Sequence, residues 1–216
     1  MNKKDKMTTA ALLAMRELFE ISSNDKVLVL TDIHCKTIAN AFSEACSKID
    51  CKVETFEINE QIRPLKELPE KLTKMLAGKN IVLNVFKAYS EEIPFRIKWI
   101  FKVEENKLIK MGHMPGITEA MMLGSVNVNY VEMKNGGELL LKFLKDVKQI
   151  HITTDEGTDL VLGIEGRSFV SDVGVKPGEM CNLPCGKFTA HLLKRKQMVL
   201  LYLMQVLVIS VSLILL

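Results

Sequence analysis

Short, almost wholly apolar runs recur along the first half of the chain, separated by segments of helix length. Lys26–Asp32 reads KVLVLTD and opens after Asn24–Asp25. Such a run suits a strand buried on both faces of a parallel sheet. Residues 36–49 follow with Ile38, Ala41, Phe42, Ala45 and Ile49 at helical spacing. KVETFEI (52–58) alternates as a strand does, 66–77 forms a helical stretch after Pro64, and NIVLNVF (80–86) is a third strand. Ser90 is placed to cap another helix, with Glu91 and Glu92 in its first turn and Pro94 tolerated near the start. KLIKMGHM (107–114) is a fourth strand ending at Pro115–Gly116, and Thr118 caps a short helix through Met122. A last helix is expected from about Gly137 to Asp146, apolar at Leu139, Leu140, Phe143 and Leu144. This alternation predicts an α/β fold, a parallel sheet with helices on both faces, over residues 1–146.

The pattern changes near Val147. QIHITTDEGTDLVLGIEGRSFVSDVGV holds three short β-type runs with Gly157, Gly166 and Gly174 between them. No helix intervenes, so antiparallel strands and a second, β-rich segment over 147–186 are expected. The formal charge of +3 is concentrated at the end. Residues 187–216 hold Lys187, Lys194, Arg195 and Lys196 and no acid, so 1–186 carries 25 Lys and Arg against 26 Asp and Glu. A near-neutral body gives no electrostatic ground for nucleic-acid binding. The opening MNKKDKMTTAALLAM reads as an amphipathic helix, with Leu12, Leu13, Met15, Leu18 and Phe19 apolar, rather than as a leader. The five cysteines (35, 46, 51, 181 and 185) are odd in number. Reduced thiols in a cytoplasm are the expectation. Cys181 and Cys185 are read as small buried thiols, since no histidine pair lies at ligand spacing nearby. No Ser–His–Asp arrangement, P-loop or dinucleotide fingerprint is present, and the paired glycines of KNGGELL (134–140) follow no strand.

GHMPGITEAMM (112–122), TTDEGTDLVLGIEGR (153–167) and PGEMCNLPCG (177–186) resemble, in order and spacing, the metal-dependent aminopeptidases of the aminopeptidase T and aminopeptidase S type. The short leucyl aminopeptidase branch is the most similar. The motif positions are Gly157, Thr158 and Asp159, then Glu165, Gly166 and Arg167, then Asn182, Leu183, Pro184 and Gly186. The resemblance implies an α/β amino-terminal domain and a catalytic domain, of which 147–186 is the incomplete start. It implies two divalent ions (zinc, cobalt or magnesium) that activate a water and polarise the carbonyl of a peptide substrate. It also implies a homodimer formed mostly through the catalytic domain, which makes dimerisation of this chain doubtful. The first metal ligand of the family is a glutamate directly after NLPxG. Here that position is Lys187, whose ammonium has no lone pair for a cation and repels it. The remaining family ligands lie further along, so no catalytic or metal-binding residue is assigned in this chain.

From Lys187 the sequence turns basic and then almost wholly apolar to Leu216. Loss of one G from a GAA codon after Gly186 accounts for the change. Met198 has only ATG and Val199 begins GT, so the overlapping codon is GGT, glycine, without freedom. Gln197 into Met198 allows only asparagine or aspartate, and Lys187 into Phe188 only valine or isoleucine. One consistent restored reading is GEVYCSPIEKEANGVVVSDASIGNIGL, similar to the family continuation GEVYxxPxExxANG. Residues 187–216 are therefore read as an out-of-frame tail on a truncated, inactive chain. The competing reading is a membrane anchor. Met198–Leu216 is 19 residues, roughly 28 Å as a helix, and Lys194–Lys196 suits a cytoplasmic flank. A non-enzymatic, membrane-tethered α/β module is then the alternative function. A second enzymatic alternative is a mononuclear-iron, ring-cleaving dioxygenase, through resemblance to the dihydroxypyridine dioxygenases of the same fold.

Individual side chains are read more plainly. His113 is a polar residue at a strand end, His151 a cross-strand residue, and Glu165 and Arg167 an ion pair or a wall of the substrate side. Gly157, Gly166 and Gly186 allow tight turns. Asn182 is expected to cap the turn at Leu183–Pro184 by an Asx bond and so to position whatever follows Gly186. Asp172 lies in the same β-rich segment, and His191 has no inferred role.

Overall fold

The structure is a computed structural model and describes residues 1–155, 157–190 and 203–204. It divides into two compact units, Met1–Tyr130 with Gly174–Cys185, and Val131–Val173 with Gly186–Leu216. The sequence reading placed the boundary at 146/147. In the fold the first unit ends at Tyr130, and 174–185 return to it.

The first unit is an α/β sandwich. Strands β1 (Lys26–Thr31), β2 (Lys52–Glu57), β3 (Ile81–Val85), β4 (Lys110–His113) and β8 (Met180–Asn182) form one sheet in the order β2-β1-β3-β4-β8. Every pairing in it is parallel. β1 and β3 are central, and all their residues but Lys26 are buried. Their alternate side chains enter two separate cores. Val27, Val29, Ile81, Leu83 and Val85 face one core with helices α1 (Lys3–Leu13) and α2 (Lys36–Ile49). Leu28, Leu30 and Val82 face the other, against Leu72 of α3 (Glu70–Lys74) and Phe95, Trp99 and Val103 of α4 (Ile93–Glu104). Burying each such side chain is worth about 1.5–3 kcal/mol. The expected sheet with helices on both faces is what the chain forms. At the edge, β2 is mostly exposed and carries Lys52, Glu54 and Glu57, charges that discourage pairing with another chain.

Three elements differ in extent from the sequence reading. α3 spans only Glu70–Lys74, because Pro69 lies inside the expected 66–77 stretch and cannot continue a helix through it. Ser90–Glu92 forms a 3-10 turn, and α4 begins after it without a side-chain cap. α6 starts at Tyr130 and runs to Leu144, seven residues ahead of the expected start at Gly137. Gly136 and Gly137 lie inside it, at a propensity cost of about 1 kcal/mol each. Thr118 does cap the short helix α5 (Glu119–Leu123), accepting a hydrogen bond from the Met121 amide.

The second unit has a small core of Leu144, Val147, Ile150, Ile152 and Ile164. β5 (Gln149–Thr153) and β6 (Asp159–Gly163) form an antiparallel hairpin. β7 (Phe169–Ser171), β9 (Lys187–Ala190) and β10 (Leu203–Met204) form a second antiparallel sheet in the order β10-β9-β7. No helix among the described residues is long and apolar enough to cross a membrane. The anchor reading of 198–216 lies outside the described residues, apart from Leu203–Met204.

Candidate functional site

Two of the three motifs meet in the first unit. β8, from PGEMCNLPCG, lies beside β4, from GHMPGITEAMM, with Gly112 opposite Cys181 and His113 opposite Asn182. Neither glycine that makes this possible can be replaced without displacement. A Cβ on Gly112 would stand 2.7 Å from the Phe19 ring and 2.9 Å from Leu83. Gly178 has φ +83, and a Cβ there would stand 2.9 Å from the Lys107 carbonyl oxygen. The Gly178 amide donates to Ile109 O at 2.9 Å, which brings β8 onto the edge of β4. Leu183 then donates its amide to His113 O at 3.2 Å.

His113 is a structural residue. Its Nδ1 accepts from Asn84 Nδ2 at 3.1 Å, which leaves its proton on Nε2, and Asn84 Oδ1 accepts from the Trp99 indole at 2.7 Å. Burial, and then the positive charge of Arg96, hold its pKa down to about 4. The side chain is neutral at physiological pH. None of the five cysteines forms a disulfide. Burial raises the pKa of Cys35 to about 11, which keeps it protonated.

The third motif lies in the second unit and is a scaffold of turns. Gly157 (φ +99) and Gly166 (φ +69) occupy backbone conformations that favour glycine. Around the first, Thr154 and Thr158 exchange hydrogen bonds. Asp159 pairs across the hairpin with His151 at 2.6 Å. Glu165 pairs with Lys148 at 3.2 Å and not with Arg167, whose Nη1 is buried without a hydrogen-bond partner.

Position 187 is placed by Asp172. One oxygen of that carboxylate accepts the amides of Gly186 (2.8 Å) and Lys187 (2.6 Å), and the Asp172 amide donates to Lys187 O at 3.1 Å. Gly186 has φ +114, and a Cβ there would press on Met133 Sδ at 3.0 Å. Asn182 lies in β8, opposite His113, and the carboxylate that accepts the Gly186 and Lys187 amides is that of Asp172. The residue so placed is a lysine. Among the described residues no three His, Cys, Asp or Glu side chains are grouped to hold a metal ion. Lys187, at the position of the resembled family's first ligand, offers no lone pair to a cation.

One cluster escaped the sequence reading entirely. Asp32, Arg63 and Glu92 form a buried charge network whose side chains are 0, 3 and 0% exposed. Arg63 Nη1 donates to Asp32, Nε to Glu92 at 2.9 Å, and Nη2 to Lys87 O at 2.8 Å. Asp32 also accepts the amides of Cys35 (2.9 Å) and Lys87 (2.7 Å), and Glu92 that of Leu65 (2.8 Å). Burial disfavours the guanidinium charge, yet the bonds and charges of Glu92 and Asp32 outweigh it and raise the Arg63 pKa above its ordinary value. The Tyr89 ring covers the guanidinium at 4.2 Å. Glu92 is thus a buried ion-pair partner, not the first-turn helix acid the sequence suggested. The only sequence signal was Asp32 closing an otherwise apolar strand.

No family model matches this sequence, and no characterised protein sequence matches it significantly. Solved structures that share its fold include the following two. The 2,5-dihydroxypyridine dioxygenase from Pseudomonas putida KT2440 superposes with a TM-score of 0.58 at 12% identity, over 88% of this chain and 56% of the other. Wild-type AmpT from Thermus thermophilus, an aminopeptidase T, superposes with a TM-score of 0.52 at 16% identity, over 88% of this chain and 62% of the other. At these identities the likeness is one of fold, and the chain spans little more than half the length of each.

Proposed function

We propose that residues 1–186 are the amino-terminal part of a metal-dependent aminopeptidase whose reading register is lost after Gly186, and that the 216-residue chain does not itself hydrolyse peptides. One observation carries this reading. The amides of Gly186 and Lys187 both donate to Asp172 Oδ1 and so pin the backbone at the position where the resembled family carries its first metal-ligating glutamate, and the residue there is Lys187. A rigidly held position is what a ligand needs, and an ammonium is what a ligand cannot be. The dioxygenase of the same fold supports a second reading, because its superposition is the better of the two.

The test compares the 216-residue chain with the protein translated from the register-restored gene. Metal content and release of the amino-terminal residue from leucine p-nitroanilide are measured on both. The expected result is two equivalents of zinc or cobalt with hydrolysis for the restored protein, and neither for the chain. One ferrous ion with oxygen uptake would replace the aminopeptidase reading by the dioxygenase. Hydrolysis by the 216-residue chain with bound metal would overturn the proposal. Recovery of the chain from washed membranes would favour the tethered, non-enzymatic alternative.

A further inference from the structure

The loops after β1, β3 and β4 border a crevice of about 340 Å³ in the first unit, lined among others by His34, Cys35, Thr37, Lys87, Ile117 and Thr118. Its place follows from the winding of the sheet. From β1 the chain moves to β2 on one side and then to β3 on the other, so the reversal falls between β1 and β3. Loops leaving the two neighbouring strands diverge there, to opposite faces, and open a cleft outside the strand ends. The volume lies at the small end of the range for ligand cavities.

The walls are firm. The Asp32–Arg63–Glu92 network fixes the chain at Cys35 and Lys87 through backbone amides. The Cys35 thiol lies 3.9 Å from Ile117 O, which joins the β1 and β4 loops. Cys35, Ile38 and Ile117 are buried and give an apolar floor.

The charge at the rim is unbalanced. Lys87 carries its ammonium 4.9 Å from the Tyr89 ring centroid and has no carboxylate partner among the described residues. The crevice lining also holds Glu119, whose carboxylate pairs with Lys3; Asp32 pairs with Arg63, and Glu60 with His34 and Tyr89. Thr37 lies on the same lining, in the first turn of α2, where the Ile38 and Ala39 amides are already taken by Cys35 O at 3.0 Å and the hydroxyl is the side-chain donor that Thr37 offers. The cleft therefore offers one unneutralised cation and a hydroxyl donor above an apolar floor. That combination complements an anion attached to a compact organic body.

We propose that this crevice binds a small phosphate monoester, its phosphate held by Lys87 and Thr37 and its organic body lying on Ile117 and Ile38. Of these residues only Ile117 lies in a motif behind the aminopeptidase reading, and Lys87 and Thr37, which hold the phosphate, lie outside all three, so either proposal can fail alone.

The test is calorimetric titration of the full 216-residue chain at constant ionic strength with adenosine monophosphate, ribose 5-phosphate, adenosine and inorganic phosphate. At least one monoester should bind saturably, with a Kd of about 1 mM or tighter, and more tightly than adenosine or free phosphate. Lys87→Gln should weaken it about tenfold or more, and Thr37→Ala should weaken it in the same direction. Lys36→Gln should leave it unchanged, because that ammonium lies outside the crevice and pairs with Glu57 at 2.7 Å. Emission from buried Trp99 reports that each variant is folded. Absence of saturable binding of both monoesters, equal binding of inorganic phosphate or adenosine, or unchanged binding by folded Lys87→Gln would each overturn the proposal.

Discussion

Replacing Arg63 by methionine isolates what the buried charge network does for the first unit. The guanidinium makes its bonds from a side chain only 3% exposed, to two carboxylates that are wholly buried. Methionine fills much of the volume but leaves Asp32 and Glu92 without their cation. Asp32 would keep two amide donors and Glu92 one, so each carboxylate stays partly solvated by backbone. Breaking a buried pair costs about 3–5 kcal/mol, and the surviving amides argue for the lower half of that range. With a urea slope of about 2 kcal/mol per molar, the unfolding midpoint should fall by about 1.5–2 M. Trp99 is the single tryptophan, fully buried in the core that contains Phe95 and Val103, and its emission follows the transition. Arg63→Lys keeps the charge but loses the fork that spans both acids, and should cost less than Arg63→Met. A loss below about 1 kcal/mol for Arg63→Met would refute the reasoning, because the network would then be replaceable by apolar packing.

His113 should impose its own pH dependence on stability. Folded, it takes up a proton only near pH 4, against about 6.5 in the unfolded chain. The unfolded state thus binds more protons between those values, and stability should fall by up to about 3 kcal/mol as pH drops through that window. His113→Gln should show a shallower decline in urea midpoints measured from pH 7 to pH 4, and an identical decline would contradict the burial argument. In the second unit, amides of β5 and β6 should exchange with protection at least about 2 kcal/mol below those of β1 and β3. Equal protection measured by mass spectrometry would show that five buried residues suffice to hold that unit.

The central sheet was legible because burial on both faces leaves a local signature. β1 and β3 are continuous apolar runs, and the segments between them carry helical periodicity. β8 was illegible for the opposite reason. It is three residues long, only Cys181 in it is buried, and it becomes a strand because β4 offers an open edge. The turn glycines were legible since Gly157, Gly166 and Gly186 each meet a backbone demand set within the turn itself. The groups that hold charge and position were not. Arg63 reaches across 31 residues to Asp32 and 29 to Glu92, and Asp172 across 14 to the Gly186 amide. No periodicity links such positions. Only the folded backbone brings a donor to an acceptor over that separation.

The second unit shows why motif resemblance and stability are separable. In a half-buried strand, neighbouring side chains point to opposite faces and one set is covered. In β6, Leu160 and Val161 are adjacent and both exposed, so neither face of the hairpin there is fully packed. Leu139 and Phe143 on α6 are exposed at 68 and 49%, and Val170 on β7 at 49%. The apolar helix pattern read over 139–144 is real, but only Leu144 of that set is buried and Leu140 partly so. The turn chemistry of GTDL and IEGR survives intact because it is satisfied by backbone bonds inside the hairpin. The apolar side chains are different, since they need a facing layer. An apolar surface of this kind calls for a cover, and the register-restored protein is where the aminopeptidase reading places it. If that reading holds, restoration should raise protection in β5 and β6 while leaving β1 and β3 unchanged, because the first unit already buries both faces of its sheet.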